Sequence, residues 1–113
     1  MFTLYCLDMN NIIIVYITCP TQEKAQEIAL HLLEKQLIAC ANIVPIQSMF
    51  KWEGAQVQEP EVLLITKTLE HNYDVIKQEV KKIHPYEIPC IIKISAEANE
   101  QYLAFIQNAI VKS

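Results

Sequence analysis

Hydrophobic residues along this chain fall first into one almost unbroken run and then into a helical spacing. Ile12 to Cys19 is apolar and rich in β-branched residues, which predicts a central strand covered on both faces. Pro20 closes the run, and Thr21 suits a helix N-cap. The apolar residues that follow recur on one helical face: Ala25, Ile28, Ala29, Leu32 and Leu33. They predict an amphipathic helix that lies on a sheet.

The segment from Cys40 to Trp52 alternates between two faces in the manner of a strand. At about 3.3 Å per residue it would extend roughly 43 Å, well beyond a usual strand of about 5–6 residues. Pro45 cannot donate to a ladder, so it indicates an edge position or a bulge. A long edge strand that ends in Phe50 and Trp52 favours pairing with another chain, and therefore an oligomer.

The rest of the chain completes the predicted order of elements. Gly54, the single glycine, predicts a turn between the long strand and the next one. The remaining elements are a strand at Val62–Thr68, a helix at Asn72–Ile83, a strand at Cys90–Ala96, and a last helix capped by Asn99. The order βαββαβ plus α predicts an α+β fold, a ferredoxin-like βαββαβ sandwich with an extra C-terminal helix. One face of its antiparallel sheet lacks helices of its own, which again favours assembly.

Length and composition indicate one domain. The 113 residues, 52% of them hydrophobic and 19% charged, are enough for a substantial core. We expect this domain to span residues 12–113, after an N-terminal extension of residues 1–11, with Met9 as an alternative start.

Charge and hydropathy exclude several classes of partner. The net charge of −4, without a run of lysine or arginine, argues against binding nucleic acid or an anionic membrane surface. No apolar stretch reaches the roughly 20 residues needed to span a bilayer, so membrane insertion is not expected. The first residues lack the pattern of a signal peptide, and we therefore expect a cytoplasmic protein.

The four cysteines are predicted to be free thiols. They are Cys6, Cys19, Cys40 and Cys90. No Cys-x-x-Cys pair occurs among them, and three of the four lie in apolar runs. This placement is typical of small buried residues in a reducing compartment.

One short segment concentrates the candidate chemistry. Two prolines bracket an imidazole, a phenol and a carboxylate there: His84-Pro85-Tyr86-Glu87-Ile88-Pro89. Pro85 pushes His84 out of the α region, so His84 should end the preceding helix, where the macrodipole favours an imidazolium or a metal cation. A tight metal site needs about four ligands, so the missing ones must come from elsewhere in the chain or from a second copy. In the alternative interpretation, the ring only hydrogen-bonds a carbonyl.

Five motifs follow one another in a distinctive order. They are Thr18-Cys19-Pro20, Leu37 to Ile43, Phe50-Lys51-Trp52-Glu53-Gly54, Glu61-Val62 leading to Lys67-Thr68, and the segment from His84 to Pro89. Together, from about Ile12 to Ile110, they resemble the CutA divalent-cation tolerance proteins. The resemblance implies a cytoplasmic homotrimer of ferredoxin-like subunits joined by extended strands, similar in architecture to the PII signalling trimers. It also implies a link to copper and other divalent cations, and no enzymatic activity.

The resemblance carries over only part of a copper site. In the bacterial copper-binding form, two adjacent histidines precede Pro-Tyr and a cysteine lies near the end of the first strand. Here those positions hold Ile83, His84 and Ile17. Cys19 lies on the same strand and face as Ile17, displaced by about 6.6 Å. The resemblance thus implies His84 and Cys19 as metal ligands for a weakly or transiently bound divalent ion, with copper preferred.

A second group of side chains is expected to line a cleft between chains. Its members are Trp52, Glu59, Lys67, Tyr86 and Glu87. Cofactor pockets often occur between subunits, so this cleft suits a small ligand. The alternatives are an interface anchor at Trp52 and an intersubunit ion pair between Lys67 and Glu87. His31 and His71 are expected to be solvated.

Three functional hypotheses follow. The first is a trimeric binding protein for copper and other divalent metal ions. The second is a PII-like regulatory trimer that binds a small anionic or nucleotide-like metabolite in the intersubunit cleft, with Lys67 as the charged contact. The third is a trimeric scaffold for an unidentified protein partner. No nucleophile elbow, glycine-rich phosphate loop or His-Glu-x-x-His spacing occurs, so catalysis is not predicted.

Overall fold

The structure, a computed structural model, describes residues 10–110. Residues 1–9, which make up most of the predicted N-terminal extension, lie outside it, as do residues 111–113. The elements are β1 (Ile12–Cys19), α1 (Gln22–Glu34), β2 (Cys40–Trp52), β3 (Ala55–Leu69), a 3-10 turn (Glu70–Asn72), α2 (Tyr73–Ile83), β4 (Ile91–Ala96) and α3 (Glu100–Ala109). This order confirms the α+β class, with a four-stranded antiparallel sheet and an extra C-terminal helix.

The third strand is longer than the sequence predicted. It begins at Ala55 rather than Val62, and Pro60 lies within it opposite Gln47 of β2. The ladder between β1 and β3 ends at the pair Cys19–Val62. Pro60 therefore lies where β3 has a neighbour on one side only, and a missing N–H is tolerated there.

The sheet has the order β2-β3-β1-β4, so β2 is an edge strand. Pro45 lies in the middle of it, opposite Val62, which agrees with the predicted edge position. The two long strands are joined by a turn in which Glu53 has a φ of 50° and Gly54 a φ of 84°. Only glycine adopts the second value without strain.

The helices α1 and α2 cover one face of the sheet. Thr21 caps α1 as predicted, because its side chain accepts a hydrogen bond from the backbone N–H of Lys24 at 3.1 Å. The main core comprises Ile13, Val15, Ile17, Cys19, Ala25, Ile28, Ala29, Leu32, Ile38, Leu64, Ile76 and Val80. Leu33, which the pattern assigned to the core face, is exposed instead.

The opposite face of the sheet is covered only at one end within the described residues. There, Ile106 and Ile110 pack against Ile12 and Leu69. Beyond this contact the face carries exposed apolar side chains, among them Val44, Ile92, Ile94, Phe50 and Trp52. We call this surface the open face. Its presence matches the expectation that one side of the sheet lacks helices.

The hairpin of β2 and β3 extends beyond the rest of the molecule. Pairing between the two strands continues from Cys40–Lys67 to Trp52–Ala55, whereas β1 stops opposite Val62. The described chain therefore measures 53 Å along its longest axis and only 24 and 23 Å along the other two. We call residues 46–61 the hairpin arm.

Candidate functional site

His84 closes the C-terminus of α2, as the following proline predicts. Its backbone N–H donates to the carbonyl oxygen of Val80 at 2.8 Å, and its φ of −76° and ψ of 133° leave the helical region. Its side chain is buried, with 8% of its surface exposed. The ring atom Nε2 donates to the carbonyl oxygen of Thr18, at 2.8 Å. His84 therefore connects the end of α2 to the end of β1.

The second ring nitrogen of His84 also has a partner. Its Nδ1 lies 3.2 Å from the backbone nitrogen of Tyr86, and a backbone N–H can only donate. Nδ1 is therefore the acceptor, and the proton is on Nε2, facing the carbonyl of Thr18. This arrangement is a neutral imidazole with both nitrogens engaged, so a metal ion would have to displace one of the two hydrogen bonds.

Cys19 lies at the same end of β1 as the His84 ring, next to the residue whose carbonyl the ring contacts. It points into the helix-covered core and is 0% exposed. Burial raises the pKa of its thiol from 9.0 to about 11, and the negative charge of Glu61 contributes in the same direction. Metals bind the thiolate, so this environment opposes binding at neutral pH.

The described residues of one chain do not fit a resident metal centre. Among residues 10–110, no three side chains of the His, Cys, Asp or Glu types converge on one point. His84 and Cys19 are brought to the same end of β1, but they supply two groups where about four are needed for tight binding.

Tyr86 and Glu61 form a contact that the sequence interpretation missed. The Tyr86 hydroxyl donates a short hydrogen bond to Oε2 of Glu61, whose side chain is almost fully buried. The pKa of Tyr86 is raised, first by burial and then by this hydrogen bond and the charges of Glu61 and Glu59. Glu61 shares a strand face with Glu59, so strand alternation through Pro60 was the signal that could have identified it.

A cleft of about 540 Å³ lies between the hairpin arm and the segment that follows His84. It is lined by Thr18, Phe50, Trp52, Val57, Glu59, Glu61, Tyr86, Glu87, Ile88 and Cys90. Four of the five predicted cleft residues are among them: Trp52, Glu59, Tyr86 and Glu87. The hairpin supplies one wall and the proline-bracketed connector supplies the other.

Lys67 does not line this cleft. It pairs with Cys40 at the opposite end of β3, eight positions from Glu59, which corresponds to about 26 Å along the strand. Its Nζ lies 5.6 Å from the centre of the Tyr102 ring, next to α3. Within one chain the five predicted residues therefore do not come together, and only a second copy could bring a Lys67 to the cleft.

His31 and His71 are only partly exposed to solvent, whereas the sequence predicted that both are solvated. Nε2 of His31 lies 2.8 Å from Oε1 of Glu79, which joins α1 to α2. The hydrogen bond from His31, followed by that from Lys82, lowers the pKa of Glu79 to about 2. The ring nitrogens of His71 are buried within the 3-10 turn. The contact of His31 joins segments that are distant along the chain, so helical spacing could not predict it.

Comparison with protein families gives one match that spans most of the chain. Residues 13–109 match the family model described as CutA1 divalent ion tolerance protein. The divalent-cation tolerance protein CutA of Thermus thermophilus is 42% identical over 96 residues, which cover 83% of this chain and 93% of that protein.

Solved structures of similar proteins have the same fold. CutA1 from Oryza sativa superimposes with a TM-score of 0.89 at 35% identity, covering 94% of this chain and 100% of that one. A protein from Archaeoglobus fulgidus, described as a periplasmic divalent cation tolerance protein CutA, has a TM-score of 0.86 at 40% identity and covers 88% of this chain and 99% of its own. Among residues 10–110, none of the helices has the length and continuous apolar character that a bilayer span requires.

Proposed function

This chain belongs to the CutA1 divalent ion tolerance protein family, and from that premise we propose that it is a trimeric binding protein for divalent metal ions, copper above all. Family membership is the observation that carries the proposal. We propose a binding role rather than a catalytic one, because the matching family and the similar proteins are described by divalent-cation tolerance and not by a reaction.

We assign His84 and Cys19 as the metal ligands. Support comes from their common position at the end of β1, where the ring of His84 contacts the carbonyl of Thr18. An imidazole and a thiolate together prefer copper among the divalent ions, by ligand softness and by the Irving–Williams order. Binding is expected to be weak, since the ring must give up a hydrogen bond and the thiol of Cys19 must lose its proton.

The proposed trimer is supported by the open face. Val44 of β2, together with Ile92 and Ile94 of β4, is exposed there to a degree unusual for aliphatic residues in a sheet. The hairpin arm also presents one edge of β2 along its whole length. Three copies packed through these surfaces would bury the exposed aliphatic side chains and pair the free edge of β2.

We also propose that the protein is located in the cytoplasm. The described cysteines, Cys19, Cys40 and Cys90, are all free, which suits a reducing compartment. Labelling of the three thiols in intact cells, compared with labelling after lysis under denaturing conditions, tests whether they are reduced in place.

Calorimetric titration with Cu²⁺ tests the metal function. We expect the parent protein to bind, and His84→Ala and Cys19→Ala to bind more weakly. His84→Gln is the matched variant, because its amide can still donate to the Thr18 carbonyl but is a poor copper ligand. Equal affinity in the parent and His84→Gln would exclude the imidazole as a ligand without any confusion with loss of folding.

The second candidate is a PII-like regulatory trimer that binds a small metabolite in a cleft between subunits. The observation that favours it is the 540 Å³ cleft at Trp52 and Tyr86, whose size is within the range of small-molecule sites. A thermal-shift screen of metabolites separates this candidate from the first, because a ligand of the native state raises the melting temperature in the absence of metal.

A further inference from the structure

The imidazole of His84 has one lone pair that can bind a ligand, and this lone pair is on Nδ1. Nε2 carries the proton and donates it to the carbonyl oxygen of Thr18 at 2.8 Å. In a neutral imidazole the other nitrogen is the acceptor. That nitrogen, Nδ1, accepts the backbone N–H of Tyr86 at 3.2 Å. The side of the ring that could take a metal ion is therefore already covered by Tyr86.

The bond to Thr18 is the one that a ligand of the ring would leave intact. A histidine that binds a metal ion commonly donates its second ring N–H to a backbone carbonyl, which fixes the tautomer and the ring orientation. Nε2 of His84 makes such a bond. A ligand on Nε2 would instead shift the proton to Nδ1, where it would face a second donor, the N–H of Tyr86. Access to the ring therefore depends on Tyr86.

Tyr86 is held in place by the end of its own side chain. Its hydroxyl donates to Oε2 of Glu61, and its ring centre lies 4.7 Å from that of His84. A hydrogen bond to a carboxylate is roughly twice as strong as one between neutral groups. Glu61 and His84 are buried within the single chain, with 7% and 8% of their surfaces exposed, so these contacts do not depend on what a neighbouring copy covers.

We propose that Tyr86 is a gate on the imidazole of His84, and that its hydrogen bond to Glu61 keeps the gate closed. While that bond is made, the Tyr86 N–H occupies Nδ1. When it breaks, residues 85–89 turn away from the ring and Nδ1 becomes available. The inference rests on the proposed metal function, since it describes how that ligand becomes available. A site that is open for only a fraction of the time has its apparent affinity reduced by that fraction, so the gate sets the strength of metal binding.

Diethyl pyrocarbonate, which acylates unprotonated ring nitrogens, tests the gate in metal-free protein. The full chain, in its native assembly and with a chelator, is treated for set times, digested with trypsin and analysed by mass spectrometry. The three histidines fall in separate peptides, residues 25–35, 68–77 and 83–93. His84 should be acylated about tenfold faster in Tyr86→Phe than in the parent, because the bond to the carboxylate is lost while the ring and the backbone N–H remain.

Matched variants assign that increase to the gate. Tyr102→Phe removes the same hydroxyl from α3, which packs at the opposite end of the sheet, and should leave the rate at His84 unchanged. Glu61→Gln keeps an oxygen that accepts from Tyr86, so its rate should stay within about threefold of the parent. If Tyr86→Phe is unstable because the buried carboxylate loses its donor, the double variant Tyr86→Phe, Glu61→Leu removes both partners and takes its place.

His71 monitors opening of the whole molecule, because its ring nitrogens are buried in the 3-10 turn. Its acylation rate should be the same in Tyr86→Phe and in the parent. Equal acceleration at His71 and His84 would overturn the gate, since the variant would then be opening as a whole.

Titration with Cu²⁺ connects the gate to the metal function. Tyr86→Phe should bind Cu²⁺ up to about tenfold more tightly than the parent, since the closed state no longer competes. Binding of Cu²⁺ that requires His84, with labelling and affinity unchanged in Tyr86→Phe, would overturn the gate and leave the metal function in place. Faster labelling of His84 in a protein that binds no Cu²⁺ would support the gate and refute the metal function.

Discussion

The imidazole of His84 donates from Nε2 to the carbonyl oxygen of Thr18 across 2.8 Å, and this bond fastens the end of α2 to the end of β1. The same ring accepts the backbone N–H of Tyr86 through Nδ1. His84 therefore supports one wall of the cleft whether or not it ever meets a metal ion. Its structural contribution can be measured in metal-free protein.

His84→Ala should lower the free energy of unfolding by about 2–3 kcal/mol, because it leaves two buried polar groups without their partner and opens a cavity. Urea unfolding in the presence of a chelator measures this loss. His84→Gln should lose less, since its amide can donate to the Thr18 carbonyl. An alanine variant as stable as the parent would show that the ring is not a structural connection.

Cys19 should be the slowest of the described cysteines to react with iodoacetamide. Its pKa of about 11, against an ordinary 9.0, reduces the thiolate fraction at neutral pH by about 100-fold, and its side chain is fully buried. Cys90, which lines the cleft, provides the internal comparison. Mass spectrometry of tryptic peptides after timed labelling gives both rates, and equal rates would contradict the buried position of Cys19.

Copper affinity should rise with pH if Cys19 is a ligand. Proton loss from its thiol accompanies binding, and the raised pKa means that this loss remains incomplete well above neutral pH. The difference in affinity between the parent and Cys19→Ala should therefore grow between pH 6 and pH 9, as measured by competition with a chelator of known affinity. A constant difference would exclude the thiol from the site.

The stability of the folded protein should depend on pH through Glu79, which joins α2 to α1. Its folded pKa of about 2 lies below the ordinary 4.5, so its contribution is complete above pH 4.5 and is lost as the pH falls through about 2. The melting temperature of Glu79→Gln should be lower than that of the parent at pH 7, and the gap should close near pH 2. Glu34→Gln makes the same change in net charge, and its difference in melting temperature from the parent should not shrink in this way between about pH 7 and pH 2.

A charge on the open face should dissociate the proposed trimer. Ile92→Glu places a carboxylate at the centre of an apolar surface, and burying it unpaired would cost about 3 kcal/mol per subunit. Light scattering coupled to size exclusion should show a mass of one chain instead of three. Leu30→Glu changes an equally exposed residue on α1 and should leave the assembly intact. A monomeric parent protein would refute the trimer itself.

Much of the fold was predictable because its signals are local. The continuous run from Ile12 predicts a buried strand, Thr21 caps α1, and Pro45 lies on an edge strand as a missing donor requires. The start of β3 was not predictable, because Pro60 ends a strand in most settings. Pro60 fits within β3 because β1 ends opposite Val62, which leaves no strand on that side to need the missing N–H. Where β1 ends depends on the register of the whole sheet, which the local sequence does not specify.

The residues predicted for the candidate site come together only in part. Trp52 and Tyr86 line one cleft within a single chain, whereas the sequence predicted a cleft between chains, and that part stays a prediction. Lys67 and Glu59 lie toward opposite ends of β3, so Lys67 is next to α3 while Glu59 is in the hairpin arm. The bond from His31 to Glu79 joins residues 48 positions apart, and helical spacing alone does not align two helices.

The hairpin arm also has a consequence for the order of folding. Every pair in it, from Trp52–Ala55 outward, joins residues that are close along the chain, so the loop that must be closed is short. Such a hairpin forms in about 1–10 microseconds, long before strands as distant as β1 and β4 can meet. The arm would therefore be the first part of the sheet to form, and the later strands would pair onto it.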